Sequence, residues 1–102
     1  MQATERIEKQ VWVGNIPDWY GIDDVKQAVF DNKFGMPCYV KLERGPHDTK
    51  YAILTFRTVD HARELRSLAG VEDALVWTGG RYAVIRRSKG KVHCAENVTC
   101  DD

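Results

Sequence analysis

Charge of one sign is the first thing this sequence lacks. Its 15 Lys and Arg balance 15 Asp and Glu, for a formal net charge of +0. No global field draws such a chain to nucleic acid or to an anionic surface, so any such role must rest on local charge. Long apolar runs are also missing, and none approaches the roughly 20 residues of a membrane-spanning helix. The first residues, MQATERIEKQ, are too charged for a secretory signal. An intracellular domain, nuclear or cytoplasmic, is therefore expected. Cysteine is sparse: Cys38, Cys94 and Cys100 make no disulfide framework, and the odd count suits a reducing compartment.

Metal and catalytic constellations are missing too. His93, Cys94 and Cys100 fall short of the roughly four closely spaced ligands of a zinc site, so no metal or other cofactor is expected. Asn97-Val98-Thr99 matches the glycosylation sequon, but without a secretory signal it reads as a chance match. No nucleophile–base pair, phosphate-cradling loop or paired-carboxylate arrangement occurs. Neither catalysis nor a small-molecule substrate is indicated.

What is present is a regular alternation of elements. The 102 residues, 43% hydrophobic and 29% charged, suit one domain with a modest core. Residues 10–16 (QVWVGNI) alternate as a strand and run into a turn, and residues 17–21 (PDWYG) form a loop. From Ile22, Val25, Ala28 and Val29 recur at helical spacing, with Asp23 and Asp24 well placed in the first turn. Residues 38–44 (CYVKLER) are a second alternating strand, and residues 50–56 (KYAILTF) a third. Thr58 is a good N-cap for a second helix, with Ala62, Leu65, Leu68 and Ala69 on one face and a stop at Gly70. Residues 74–77 and 82–87 flank the turn Thr78-Gly79-Gly80-Arg81. We divide the chain into an N-terminal extension (1–9), one domain (10–90) and a flexible tail or truncated linker (91–102).

The third strand poses the functional question. Ala52, Leu54 and Phe56 point to one side, and Tyr51, Ile53 and Thr55 to the other. The order strand, helix, strand, strand, helix, strand puts both helices on the same sheet face, because crossovers are right-handed. The expected fold is α+β: a ferredoxin-like βαββαβ sandwich with a four-stranded antiparallel sheet and two helices on one face. Its other face is open, and Tyr51 and Ile53 point there. Trp12 shares that face, since burying it would turn Val11 and Val13 to solvent. Trp19, Tyr20 and Trp77 are expected to plug loops or sheet edges, His47 to lie in a loop and His61 on a helix surface.

On these residues the chain resembles the RNA recognition motif over about residues 10–89. VWVGNI (residues 11–16) matches the motif's hexamer at every position: an aliphatic, an aromatic, an aliphatic, any residue, Asn or Gly, and an aliphatic. TKYAILTF (residues 49–56) matches its octamer at Tyr51, Ala52, Leu54 and Phe56. Thr49 stands in place of the basic residue, Lys50 of the glycine and Ile53 of the second aromatic. The resemblance implies single-stranded RNA as ligand. Trp12 would be the stacking platform, at roughly 1–3 kcal/mol per base, and Tyr51 the sugar contact. Ile53 would add van der Waals contact without stacking. Asn15 and Tyr39 lie beside this site. Lys41, Lys50, Arg86, Arg87 and Lys89 are the candidate phosphate contacts, the last three in a basic segment that in this family often crosses the open face.

A narrower likeness is to the N-terminal recognition-motif domain of plant-type RNA-dependent RNA polymerases of RNA silencing. It rests on YAILTFRTVDHARELRSLAG and on LVWTGGRY (residues 75–82), where Thr78 replaces an aromatic. It implies a non-catalytic accessory domain whose parent's catalytic aspartates lie elsewhere. An alternative follows from Ile53, Thr49 and the zero net charge. The same open face would then bind another protein, or another domain of the parent chain, with weak or no RNA binding.

Overall fold

Alternation and capping put the regular elements close to where the sequence predicts them. The computed structural model describes residues 7–71 and 73–88. They run β1 (Gln10–Gly14), α1 (Ile22–Asp31), β2 (Tyr39–Arg44), β3 (Lys50–Thr55), α2 (Val59–Arg66), β4 (Val76–Trp77), β5 (Arg81–Tyr82) and β6 (Val84–Arg87). The Gly21 N–H before α1 donates to Asp24 Oδ2 at 2.8 Å, and Asp23 and Asp24 sit at the positive end of the helix dipole. α2 opens on Thr58, whose hydroxyl accepts from the His61 N–H at 3.2 Å. It closes at Arg66, four residues before Gly70. The Leu68 N–H then reaches Leu65 O at 3.0 Å, so the last stretch tightens into turns rather than α-helix.

The four long strands form one antiparallel sheet in the order β2-β3-β1-β6. Val11, Val13, Val40, Ala52, Leu54 and Ile85 of the sheet, with Phe56 just beyond β3, share one buried cluster with Val25 and Val29 of α1 and Ala62 and Leu65 of α2. The molecule is therefore α+β, with two helices and a four-stranded antiparallel sheet. Among the described residues no helix is long and apolar enough to cross a membrane.

Four details depart from expectation. Residues 82–87 do not form one strand, because the chain changes partner at Ala83. Tyr82 pairs with Val76 in a small β4–β5 ribbon, while Val84 pairs with Gly14 in the main sheet. Ala83 is buried and its N–H donates to Leu75 O at 2.8 Å, which anchors the bend. Gly79 and Gly80, at φ of +88° and +78°, make the intervening turn in a region that side chains disfavour. Trp77 and Tyr20 do plug this end of the molecule: the Trp77 indole N–H donates to Gly14 O at 3.1 Å, and the Tyr20 hydroxyl accepts from the Thr78 N–H at 2.8 Å. Trp19 plugs nothing and is 65% exposed, stacked edge-on against Tyr20.

The third departure is Cys38, which is disulfide-bonded. Without a thiol proton its sulfur makes only a packing contact with the Thr55 carbonyl oxygen, 3.3 Å away. Cys94 and Cys100, with His93 and the Asn97 sequon, lie outside the described residues. The fourth is at one end of the outer sheet face, where Gln10, Thr55 and Ser88 are buried, so the face is open only in part.

Candidate nucleic-acid interface

The strand register lines the outer face in rows. Trp12 stands opposite Ile53 on one side and Arg86 on the other, and Ile53 in turn opposes Lys41. One row across the sheet therefore reads Lys41, Ile53, Trp12, Arg86. The next reads Glu43, Tyr51, Gly14, Val84. Val11 and Val13 are fully buried while Trp12 between them is partly exposed, as alternation requires.

Trp12 and Tyr51 stack on each other, their ring centroids 5.3 Å apart and their planes 21° from parallel. The two rings pack on one another as a single aromatic unit at the floor of this face. Gly14 makes that floor possible: a Cβ there would come within 2.5 Å of Trp12 Cη2 and 2.7 Å of Cζ3. Sequence reasoning passed over Gly14 because its place in the hexamer admits any residue. A large aromatic two residues back on the same face was the available signal. The Arg86 guanidinium carbon lies 4.9 Å from the Trp12 ring centroid, within cation–π range.

The candidate cations separate. Arg86 alone among them, within the described residues, meets the aromatic pair. Lys41 is on the outer face but ion-paired, its Nζ 2.5 Å from Glu43 Oε2. Lys50 shares its side of β3 with Ala52 and Leu54. Its Nζ donates to the Asp18 and Tyr20 carbonyls at 2.8 and 2.5 Å, tying the β1–α1 loop to the sheet. Arg87 has the parity of Ile85 and so belongs to the helix side. There it lies near Arg66, whose pKa is lowered by burial first and then by the charges of Arg87 and Arg63, with Glu8 opposing. Lys89 lies outside the described residues.

Asn15 and Tyr39 flank the site in different ways. Asn15 adopts a left-handed backbone (φ 63°), and its Nδ2 donates to Tyr82 O at 2.7 Å, joining the end of β1 to β5. Tyr39 is partly buried opposite Thr55, at the closed end of the face. At that end the Ser88 hydroxyl donates to Gln10 Oε1 at 3.3 Å, while Gln10 Nε2 is buried with no partner among the described residues. The usable floor is thus the Trp12 and Tyr51 rows. Among the described residues, no three His, Cys, Asp or Glu side chains gather as a metal site. Compared with protein-family models and with curated proteins, the chain matches none.

Proposed function

We propose that this chain is a single-stranded RNA-binding module on the ferredoxin-like βαββαβ plan of the RNA recognition motif. The observation that carries the reading is the stacked Trp12–Tyr51 pair on a rigid sheet with Arg86 beside it. An unstacked base lies on this floor and gains roughly 1–3 kcal/mol from stacking. It takes the place of the guanidinium over Trp12, and Arg86 turns to the phosphate. Ile53 extends the floor by apolar contact only, so few bases are held. The module is non-catalytic and serves as an accessory domain of a larger RNA-processing or RNA-silencing protein, such as an RNA-dependent RNA polymerase.

Fluorescence anisotropy with a labelled, unstructured RNA of mixed sequence tests this. Trp12→Ala and Tyr51→Ala should each weaken binding about tenfold, the middle of the stacking range. If both bind as tightly as the parent, the sheet face is not the site.

A second reading is favoured by the scattering of the cations, which leaves the outer floor mainly apolar. Under it the face binds a protein or another domain of the parent chain. Salt separates the two. RNA binding should weaken as salt rises, with a slope of about −0.7 per phosphate contacted, whereas an apolar protein contact should barely respond.

A further inference from the structure

We infer that Glu43, assisted by Lys41, reads the hydrogen-bonding edge of the base held on Trp12, and that this base is guanine. The inference rests on the RNA-binding reading above and names the ligand of that same site.

It starts from a carboxylate in an unexpected place. Glu43 stands on the outer face opposite Tyr51, one row from Trp12, with its side chain 39% exposed. On a surface whose task is only to hold phosphates, a carboxylate there opposes binding. It can instead accept hydrogen bonds from a base. The row order supplies the orientation. Arg86 lies on β6, on one side of Trp12, and the Lys41–Glu43 pair lies on β2, on the other. A nucleotide whose phosphate is drawn to Arg86 therefore points its base edge towards β2. Neighbouring strands are about 4.8 Å apart, so β2 lies two such spacings from β1. Between them Ile53 stands in the row of Lys41 and Trp12, and Tyr51, stacked with Trp12, stands in the row of Glu43.

The chemistry of the pair selects among the bases. A carboxylate offers two acceptor oxygens side by side, and it binds best where two adjacent N–H groups face it. Guanine alone presents such a pair, N1–H and the N2 amino group, with the O6 acceptor next to them for an ammonium. Adenine and cytosine each set one amino group beside a bare ring nitrogen, which meets the second carboxylate oxygen acceptor to acceptor. Uracil has one N–H between two carbonyls. Glu43 and Lys41 thus carry the donor–acceptor complement of guanine, already paired with each other at 2.5 Å.

The test uses five oligouridylates of equal length whose central base is guanine, hypoxanthine, adenine, cytosine or uracil, titrated at one ionic strength. The parent should prefer guanine over each of the others by about tenfold; the hypoxanthine probe lacks only the N2 amino group. Glu43→Gln should erase that preference while holding or raising the affinity for the all-uridine probe, because a negative charge leaves the face the phosphates approach. A purely structural Glu43 would not produce that split. If the parent binds all five alike and Trp12→Ala weakens all five, the base reading is overturned and the RNA-binding reading stands. A preference for any other base, or one for guanine that Glu43→Gln leaves intact, likewise overturns it. Binding of none of the probes overturns both readings.

Discussion

The two sides of the central strands are built from alternate residues of the same segments, yet they answer to different demands. On the inner side Val11, Val13, Ala52 and Leu54 are wholly buried against both helices. On the outer side Trp12, Tyr51 and Ile53 stay partly exposed, and two of them are spent on stacking against each other. The inner side is held by close packing, where a lost methylene leaves a void. The outer side is only partly buried, so its side chains contribute less to stability than the inner ones. Partly exposed apolar side chains gathered on one face are what the proposed ligand would cover.

Adjacent residues of β3 give the sharpest form of this contrast. Leu54→Ala should cost about 2–5 kcal/mol, the range for a buried leucine whose neighbours cannot close the gap. Ile53→Ala, one residue away, should cost clearly less, since its site is already partly open to water. Urea denaturation followed by circular dichroism gives both values from the shift in midpoint at constant slope. Equal losses would mean that the outer side is packed like the inner one, and the floor would no longer be a candidate site.

Gly14 tests whether the floor depends on its own geometry. Gly14→Ala places a Cβ where the far edge of the Trp12 ring now lies, so the ring must tilt away from Tyr51. The backbone there needs no glycine conformation, and the fold should survive. RNA affinity should fall about tenfold, as in Trp12→Ala, with loss of one stacked base. The near-ultraviolet dichroism of the aromatic pair should change with it. Unchanged affinity would show that the Trp12–Tyr51 arrangement is incidental to binding.

What the sequence disclosed and what it withheld follow one physical division. Period-two alternation is local, so Val11 and Val13 around Trp12, and Ala52 and Leu54 around Ile53, were enough to sort the two faces. The caps at Gly21 and Thr58 are local as well. Lys50 is different: its parity is readable, but its hold on the Asp18 and Tyr20 carbonyls depends on a loop some 30 residues earlier. The exchange of partners at Ala83 is likewise set by Leu75 and Gly14, neither of them adjacent in the chain. Gln10 is buried beside Ser88, its hydrogen-bond partner 78 residues later in the chain. The Lys41–Glu43 pair was within reach of the pattern, since residues two apart on a strand share a face. In the structure Lys41 meets that acid directly.

The same parity rule separates Arg86 from Arg87, and here it can be broken by experiment. Both are exposed arginines on β6, so composition and position along the chain give no reason to prefer either. Only Arg86 lies over Trp12, while Arg87 faces Arg66 on the helix side. Arg86→Gln should weaken RNA binding several-fold and reduce the magnitude of the salt slope by about 0.7, the share of one phosphate on a single strand. Arg87→Gln should change neither, and it should raise the denaturation midpoint slightly by relieving the like charge at Arg66. Binding isotherms at several salt concentrations, run on both variants, give the slopes directly. If Arg87→Gln lowers affinity and slope as much as Arg86→Gln does, the phosphates run around the edge of β6 rather than across the outer floor. The side of the strand would then no longer decide which arginine serves the ligand.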